Sequence, residues 1–136
     1  MRKKILWVVT ARSGSKSIPH KNIKLLDGIP LLSYRIKTAL KTKFSHDLWI
    51  STDSKEYADI ANRYGAEIPF IRPEELSLDD SSSSDVILHA MAHATKINKK
   101  YDYVGMLEPT SPFITSDQLD AAVRSLDENK KALATV

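Results

Sequence analysis

One stretch of this 136-residue chain concentrates groups that could handle an anion: Ala11-Arg12-Ser13-Gly14-Ser15-Lys16-Ser17-Ile18-Pro19-His20-Lys21-Asn22. Gly14 and the small serines let backbone N–H groups approach phosphate oxygens as donors. Arg12 offers a planar fork of donors, and Lys16 and Lys21 offer point charges. Asn22 both donates and accepts, which suits a sugar or a base edge. The order is not that of a Walker A loop, and the three spaced glycines of a dinucleotide fingerprint are absent. The chemistry on offer is the binding of a nucleoside triphosphate by a less common loop.

The charge distribution sharpens this reading. Lys and Arg number 20 against 17 Asp and Glu, a formal net charge of +3. Through Leu26 the chain carries Arg2, Lys3, Lys4, Arg12, Lys16, Lys21 and Lys24 and no acid, so that segment holds +7 and the remainder −4. Arg2, Lys3 and Lys4 precede the first expected strand and fall at the opposite end of the sheet. Arg12, Lys16 and Lys21 remain, with Lys24 unassigned. Three cations suit one triphosphate and are too few for a nucleic-acid track. The loop also lacks an aromatic residue on which a base could stack.

Composition sets the outer bounds. A hydrophobic fraction of 42% with 27% charged residues fits a soluble globular protein and argues against disorder. The length predicts one domain. With 0 cysteines, a disulfide framework, a thiolate nucleophile and a Cys-ligated zinc site are excluded. That count is compatible with the cytoplasm, where we expect the protein. Arg2-Lys3-Lys4 before Ile5 to Val9 imitates a signal peptide, but the apolar run stops at Thr10 and Arg12 follows, so no targeting segment is expected. No stretch approaches the roughly 18 apolar residues of a membrane-spanning helix.

These loops need elements to position them. Ile5 to Thr10 reads as a buried parallel strand, apolar on both faces. A basic loop follows to about Lys24, and Pro30 opens a helix whose stripe is Leu32, Ile36, Ala39 and Leu40. Leu48 to Thr52 reads as a second strand. Asp53 or Ser54 caps a helix through Tyr64, with Tyr57, Ile60, Ala61 and Tyr64 facing the core and Gly65 ending it. Glu67 to Ile71 reads as a third strand, shortened by Pro69 and so an edge or a bulge. Ser81 to Ser84 leads into a helix carrying Val86, Ile87, Ala90, Met91 and Ala94. Tyr103 to Leu107 is a fourth strand, followed by the polar turn Pro109-Thr110-Ser111-Pro112. Ser116 or Asp117 caps a helix with Leu119, Ala122, Val123 and Leu126, and Ala132 to Val136 begins a fifth strand. The alternation predicts an α/β fold: a three-layer, Rossmann-like, mainly parallel sheet with helices on both faces. Ligands of such sheets bind beyond the carboxyl ends of the strands, where the loops after strands one, three and four should meet. A sheet should not stop on a new strand, so the natural chain is expected to continue past Val136.

The run Val9 to Asn22 resembles the signature loop of the acylneuraminate cytidylyltransferase family. The likeness continues through Ser51-Thr52-Asp53, Tyr64-Gly65-Ala66-Glu67, Arg72-Pro73-Glu74-Glu75-Leu76 and Pro109-Thr110-Ser111-Pro112, in the family's order and near its spacing. The resemblance implies a nucleotide-diphospho-sugar transferase type of fold, with residues 1–136 its nucleotide-binding portion. It implies an enzyme that moves CMP from CTP to a 2-keto nonulosonic, sialic-type sugar acid and releases pyrophosphate. By the same resemblance Arg12 and Lys16 hold the triphosphate and are the catalytic pair. The implied nucleotide site is Ala11, Arg12, Ser15, Lys16, Lys21, Asn22, Arg72 and Ser83, and Glu108, Thr110 and Ser111 face the sugar. It further implies Mg²⁺, with acidic ligands beyond Val136, and a homodimer in the full-length protein. The family usually has Gly at the position of Ser17 and Gln at that of Glu108. A Gln can donate to a substrate carboxylate, whereas an ionised Glu repels it.

Plainer readings compete at several positions. Arg72 could pair on the surface with Glu74 or Glu75. Asp85, His89 and His93 recur every fourth residue on one helix face, a spacing zinc could use, although packed or solvated histidines suit it better. Asp53 could ligate a metal, but a helix cap is simpler. As to function, a legionaminate- or pseudaminate-type cytidylyltransferase is the near alternative, with Glu108 the discriminating residue. A catalytically silent nucleotide-binding module is the alternative from another class.

Overall fold

Ile5 to Val9 are buried without interruption, which forces the strand that carries them into the middle of the molecule. In the computed structural model, which describes residues 4–11, 23–76, 83–108 and 115–129, that strand is β1 (Lys4–Thr10). It pairs in parallel on one side with β4 (Ser45–Ser51) and on the other with β5 (Tyr103–Leu107), giving the order β4-β1-β5. Both faces of β1 are covered by packed side chains, which accounts for its continuous apolar run. Successive side chains still alternate between faces. Ile5, Trp7 and Val9 join one core and Leu6 and Val8 the other.

The first core is covered by α1 (Leu31–Leu40), α2 (Lys55–Arg63) and α4 (Ser116–Asn129). Leu32, Ile36 and Ala39 come from α1, Tyr57 and Ala61 from α2, and Leu119 and Val123 from α4. The second is covered by α3 (Ser83–Lys96), through Ala90 and Ala94, with Trp49 of β4 at its centre. Helices on both faces of a parallel sheet make the three-layer, Rossmann-like architecture expected from the sequence. Trp7 shapes the first core in a particular way. Its register partner is Gly105 of β5, and a Cβ added there would lie 2.3 Å from Cζ3 of the indole.

Local chemistry explains where the elements begin and end. Ser54 caps α2 by accepting from the N–H of Tyr57 at 3.2 Å, and Gly65, at φ +107°, leaves the helix in a conformation that costs other residues dearly. At α4 the cap is Thr115 rather than Ser116 or Asp117. Its hydroxyl accepts from Gln118 N–H at 3.1 Å, while its own N–H donates to Gln118 Oε1 at 2.9 Å, a reciprocal capping box. Asp120, buried on α4, accepts from the N–H of Lys43 at 3.0 Å and ties that helix to the turn between α1 and β4.

Several expectations are corrected. Glu67 to Ile71 is not a strand: only Glu67 bridges to β4, its N–H donating to Leu48 and its carbonyl accepting from Ile50, both at 2.9 Å. Pro69 has no N–H with which to continue the ladder. The segment rejoins the sheet at Arg72, whose N–H donates to Thr52 O at 2.8 Å. Leu40 and Met91, expected in the cores, are each 42% exposed. An unexpected two-residue hairpin, β2 (Leu25–Leu26) with β3 (Ile29–Pro30), precedes α1. Asp27 (φ 53°) and Gly28 (φ 76°) form its turn, both with positive φ. The expected turn 109–112 and fifth strand 132–136 lie outside the described residues.

At the amino ends of the strands sits an ionic cluster. Asp47 accepts from the Tyr101 hydroxyl at 2.5 Å and lies 3.5 Å from Lys4 Nζ and 3.6 Å from Lys99 Nζ. The carboxyl ends of the strands are at the other edge.

Candidate nucleotide and sugar site

Because β1, β4 and β5 are parallel, their carboxyl ends share one edge. Thr10 is in register with Ser51, and Val9 with Leu107. The chain after each strand is held there. Ala11 is fully buried and donates its N–H to Ser51 O at 3.0 Å, fixing where the basic loop leaves the sheet. Thr52 is also fully buried, and its hydroxyl accepts from Ser54 N–H at 3.2 Å, shaping the turn into α2. Arg72 joins the edge through its bond to Thr52 and is 5% exposed, so it is buried rather than on the surface. Glu108 follows β5 directly and is exposed.

Of the residues singled out in the sequence, Ala11, Arg72 and Glu108 are thereby brought to one edge. Ser83 is the first residue of α3. Arg12, Ser15, Lys16, Lys21, Asn22, Thr110 and Ser111 lie outside the described residues. Ala11 and the Ile23–Lys24 stretch, described on either side of the basic loop, flank it. Lys24 accepts at its carbonyl from Leu31 N–H at 2.9 Å, anchoring the returning chain to the start of α1.

Asp85, His89 and His93 do not gather as metal ligands. His89 packs its ring edge-on to Phe70 at 4.4 Å between centroids, and His93 packs against Phe70 at 5.2 Å and Trp49 at 5.8 Å. Burial holds the His89 imidazole below its usual pKa, helped by the neighbouring charges of His93 and Arg72 and opposed by Glu75. Among the described residues no group of three or more His, Cys, Asp or Glu could hold a metal ion. Asp53 stands beside the cap rather than forming it, since Ser54 takes that role.

Sequence reasoning missed Arg35. It lies on α1 on the same face as Leu32, Ile36 and Ala39 and is 1% exposed. Its Nε donates to the carbonyl of Glu108 at 2.7 Å, while Nη1 and Nη2 are buried with no hydrogen-bond partner among the described residues. Burial pushes its pKa below the ordinary arginine value, and the charge of Glu108 acts in the opposite direction. A signal existed: position 35 falls between 32 and 39 at helical spacing, on the stripe itself.

This geometry defines a class: a Rossmann-like α/β protein whose parallel strands end together at one carboxyl edge, where such folds bind nucleotides. The sequence places it further. The cytidylyltransferase family profile matches residues 6–136, and the chain belongs to that family. It is 36% identical, over 98% of its length, to the CMP-N,N′-diacetyllegionaminic acid synthase of Legionella pneumophila. It is 41% identical over 91% of its length to an N-acylneuraminate cytidylyltransferase of Escherichia coli, and 38% over 93% to a pseudaminic acid cytidylyltransferase of Campylobacter jejuni. The chain spans 57%, 28% and 55% of those three proteins. In fold it matches a CMP:2-keto-3-deoxy-manno-octonic acid synthetase complexed with CTP, at TM-score 0.77 and 20% identity over 93% of this chain and 48% of that one. A cytidylyltransferase from Leptospira borgpetersenii matches at TM-score 0.69 and 21% identity, over 96% of this chain and 51% of that one.

Proposed function

We propose that the protein carrying this chain transfers CMP from CTP to a 2-keto nonulosonic, sialic-type sugar acid and releases pyrophosphate. One observation carries the reading. The family match over residues 6–136 coincides with a parallel register that brings Ala11, Arg72 and Glu108 to the carboxyl edge of the sheet. The named relatives act on legionaminic, neuraminic and pseudaminic acids, all of this substrate class.

In the reaction, the anomeric hydroxyl oxygen of the sugar acid forms a bond to the α-phosphorus of CTP. The bond from that phosphorus to the bridging oxygen breaks, its electron pair leaves with pyrophosphate, and the hydroxyl proton passes to solvent. Charge spreads over phosphoryl oxygens, so catalysis is chiefly positioning and cationic stabilisation. Arg12 and Lys16 hold the triphosphate in this reading, with Ala11 and Ser15 supplying backbone donors. Lys21 and Asn22 contact phosphate, ribose or base, and Arg72 and Ser83 line the nucleotide pocket. Glu108, Thr110 and Ser111 face the sugar acid. Among the described residues no group of three or more His, Cys, Asp or Glu could hold a metal ion, and in this reading Mg²⁺ is held by acidic residues beyond Val136. The proposal extends to a cytoplasmic homodimer that takes no nucleic acid and no membrane as partner. No helix among the described residues is long and apolar enough to cross a membrane.

The test incubates the complete gene product with CTP, Mg²⁺ and neuraminic, legionaminic and pseudaminic acids in turn, and measures pyrophosphate. Release that depends on one of these acids is the expected result; release with none of them overturns the reading. Lys16→Ala should lower turnover by about 10²–10³, the scale of losing one strong transition-state donor. Normal turnover by a folded Lys16→Ala protein would remove that residue from the catalytic pair.

A further inference from the structure

A guanidinium that is 1% exposed, with two donors unpartnered among the described residues, is a poor choice for stability. An apolar residue at position 35 would complete the stripe of Leu32, Ile36 and Ala39 at lower cost. The arginine is spent instead on the end of β5. Its Nε takes the carbonyl of Glu108, one residue beyond the last strand pair of Val9 with Leu107. The carboxylate of Glu108 is exposed and acts electrostatically on the guanidinium. A buried cation and an exposed carboxylate are thus joined through one residue at the carboxyl edge of the sheet.

We propose that Arg35 is a positioning and specificity-determining residue that acts through Glu108. From beneath, it fixes the main chain at the end of β5 and offsets the carboxylate, so that this edge offers a sugar acid a strong acceptor with little net negative charge. The inference rests on the reading that Glu108 faces the sugar. An acceptor of this kind selects ligands that present an O–H or N–H there, such as a hydroxyl or an acylamino group. It turns the ligand's own carboxylate elsewhere. Without Arg35 the same carboxylate would repel a sugar acid more strongly, because no neighbouring cation would offset its charge.

Steady-state kinetics of the complete gene product tests this, with Arg35→Gln, Glu108→Gln, the double variant and Arg35→Lys. Arg35→Gln should raise KM for the sugar acid about tenfold while KM for CTP moves less than about twofold. The double variant, with two neutral amides, should recover most of that loss, and Arg35→Lys should keep part of it. Equal shifts in both KM values, or strictly additive single effects, would overturn the proposal. Glu108→Gln alone alters an exposed residue and should fold; an unchanged KM for every sugar acid in that variant would also overturn it. If the unaltered protein makes no CMP-sugar from any acid, the functional reading fails, and the pairing is still decided by denaturation. There the double-mutant cycle of Arg35→Gln and Glu108→Gln should be non-additive, and additivity would refute it.

Discussion

Gly105 sits where a methyl group has no room. A Cβ would approach the Trp7 indole to 2.3 Å, and the indole is packed between strand and helices with little freedom to move. Gly105→Ala should cost about 1–3 kcal/mol, read as a fall in the urea midpoint, from overpacking. The same change on a Trp7→Leu background should cost much less; an equal cost would mean that the indole is not the obstacle. Asp47 makes a second prediction at this scale. Burial pushes its carboxyl up, but the Tyr101 hydroxyl, Lys4 and Lys99 together hold it below the ordinary aspartate pKa. A carboxylate depressed in the folded state stabilises fully above its unfolded pKa, about 3.9, and loses that contribution as pH falls through the folded value. Asp47→Asn should therefore flatten the loss of stability below about pH 4, as followed by acid titration of the circular dichroism signal. An unchanged acid limb would show that the cluster contributes nothing to folding.

At the scale of elements, α4 depends on its reciprocal cap. Thr115→Ala should destabilise the protein by about 1 kcal/mol and Thr115→Ser by much less, measured by urea unfolding. Amide exchange in the first turn of α4 should quicken in the alanine variant alone. This cap was legible in the sequence, since Thr115-Ser116-Asp117-Gln118 spells a capping box, yet the residues just after Thr115 look equally suited to the role. The strands that pair on both sides were legible for a firmer reason. Fully buried strands need continuous apolar runs, and Ile5 to Val9 and Leu48 to Ile50 have them. Glu67 to Ile71 misled because its apolar residues are real, while Pro69 withholds the hydrogen bond that would make them a strand. Asp27-Gly28 announces a two-residue turn, but its strands are too short to alternate, and only the positive φ values show it. Of the site, the shared edge at which β1, β4 and β5 end followed from parallel pairing. The stripe position of Arg35 was legible too, but its bond to the Glu108 carbonyl was not, because sequence spacing marks the face of a helix and says nothing about what that face meets.

For the molecule as a whole, the two layers hold their histidines differently. The layer beneath α3 holds His89 and His93 against Phe70 and Trp49. The depressed pKa of His89 favours its neutral form in the folded state, so its contribution is complete above the unfolded value of about 6.5. That contribution is lost as pH falls from there through the folded value. Urea midpoints should thus decline from pH 7 to pH 5, and His89→Phe should shrink the decline; a slope unaffected by that change would assign it elsewhere. On the face under α1, α2 and α4 the described histidine is His46, whose Nδ1 lies 2.7 Å from the Phe44 carbonyl oxygen and 3.3 Å from Thr42 Oγ1. The sequence holds 2 tryptophans, and the structure puts Trp7 in one layer and Trp49 in the other. Each layer therefore owns an intrinsic fluorophore, Trp49 with the His93 ring packed against it at 5.8 Å and Trp7 with its indole N–H on Thr42. Trp7→Phe and Trp49→Phe proteins would let light report separately whether the two sides of the sheet loosen together or one before the other.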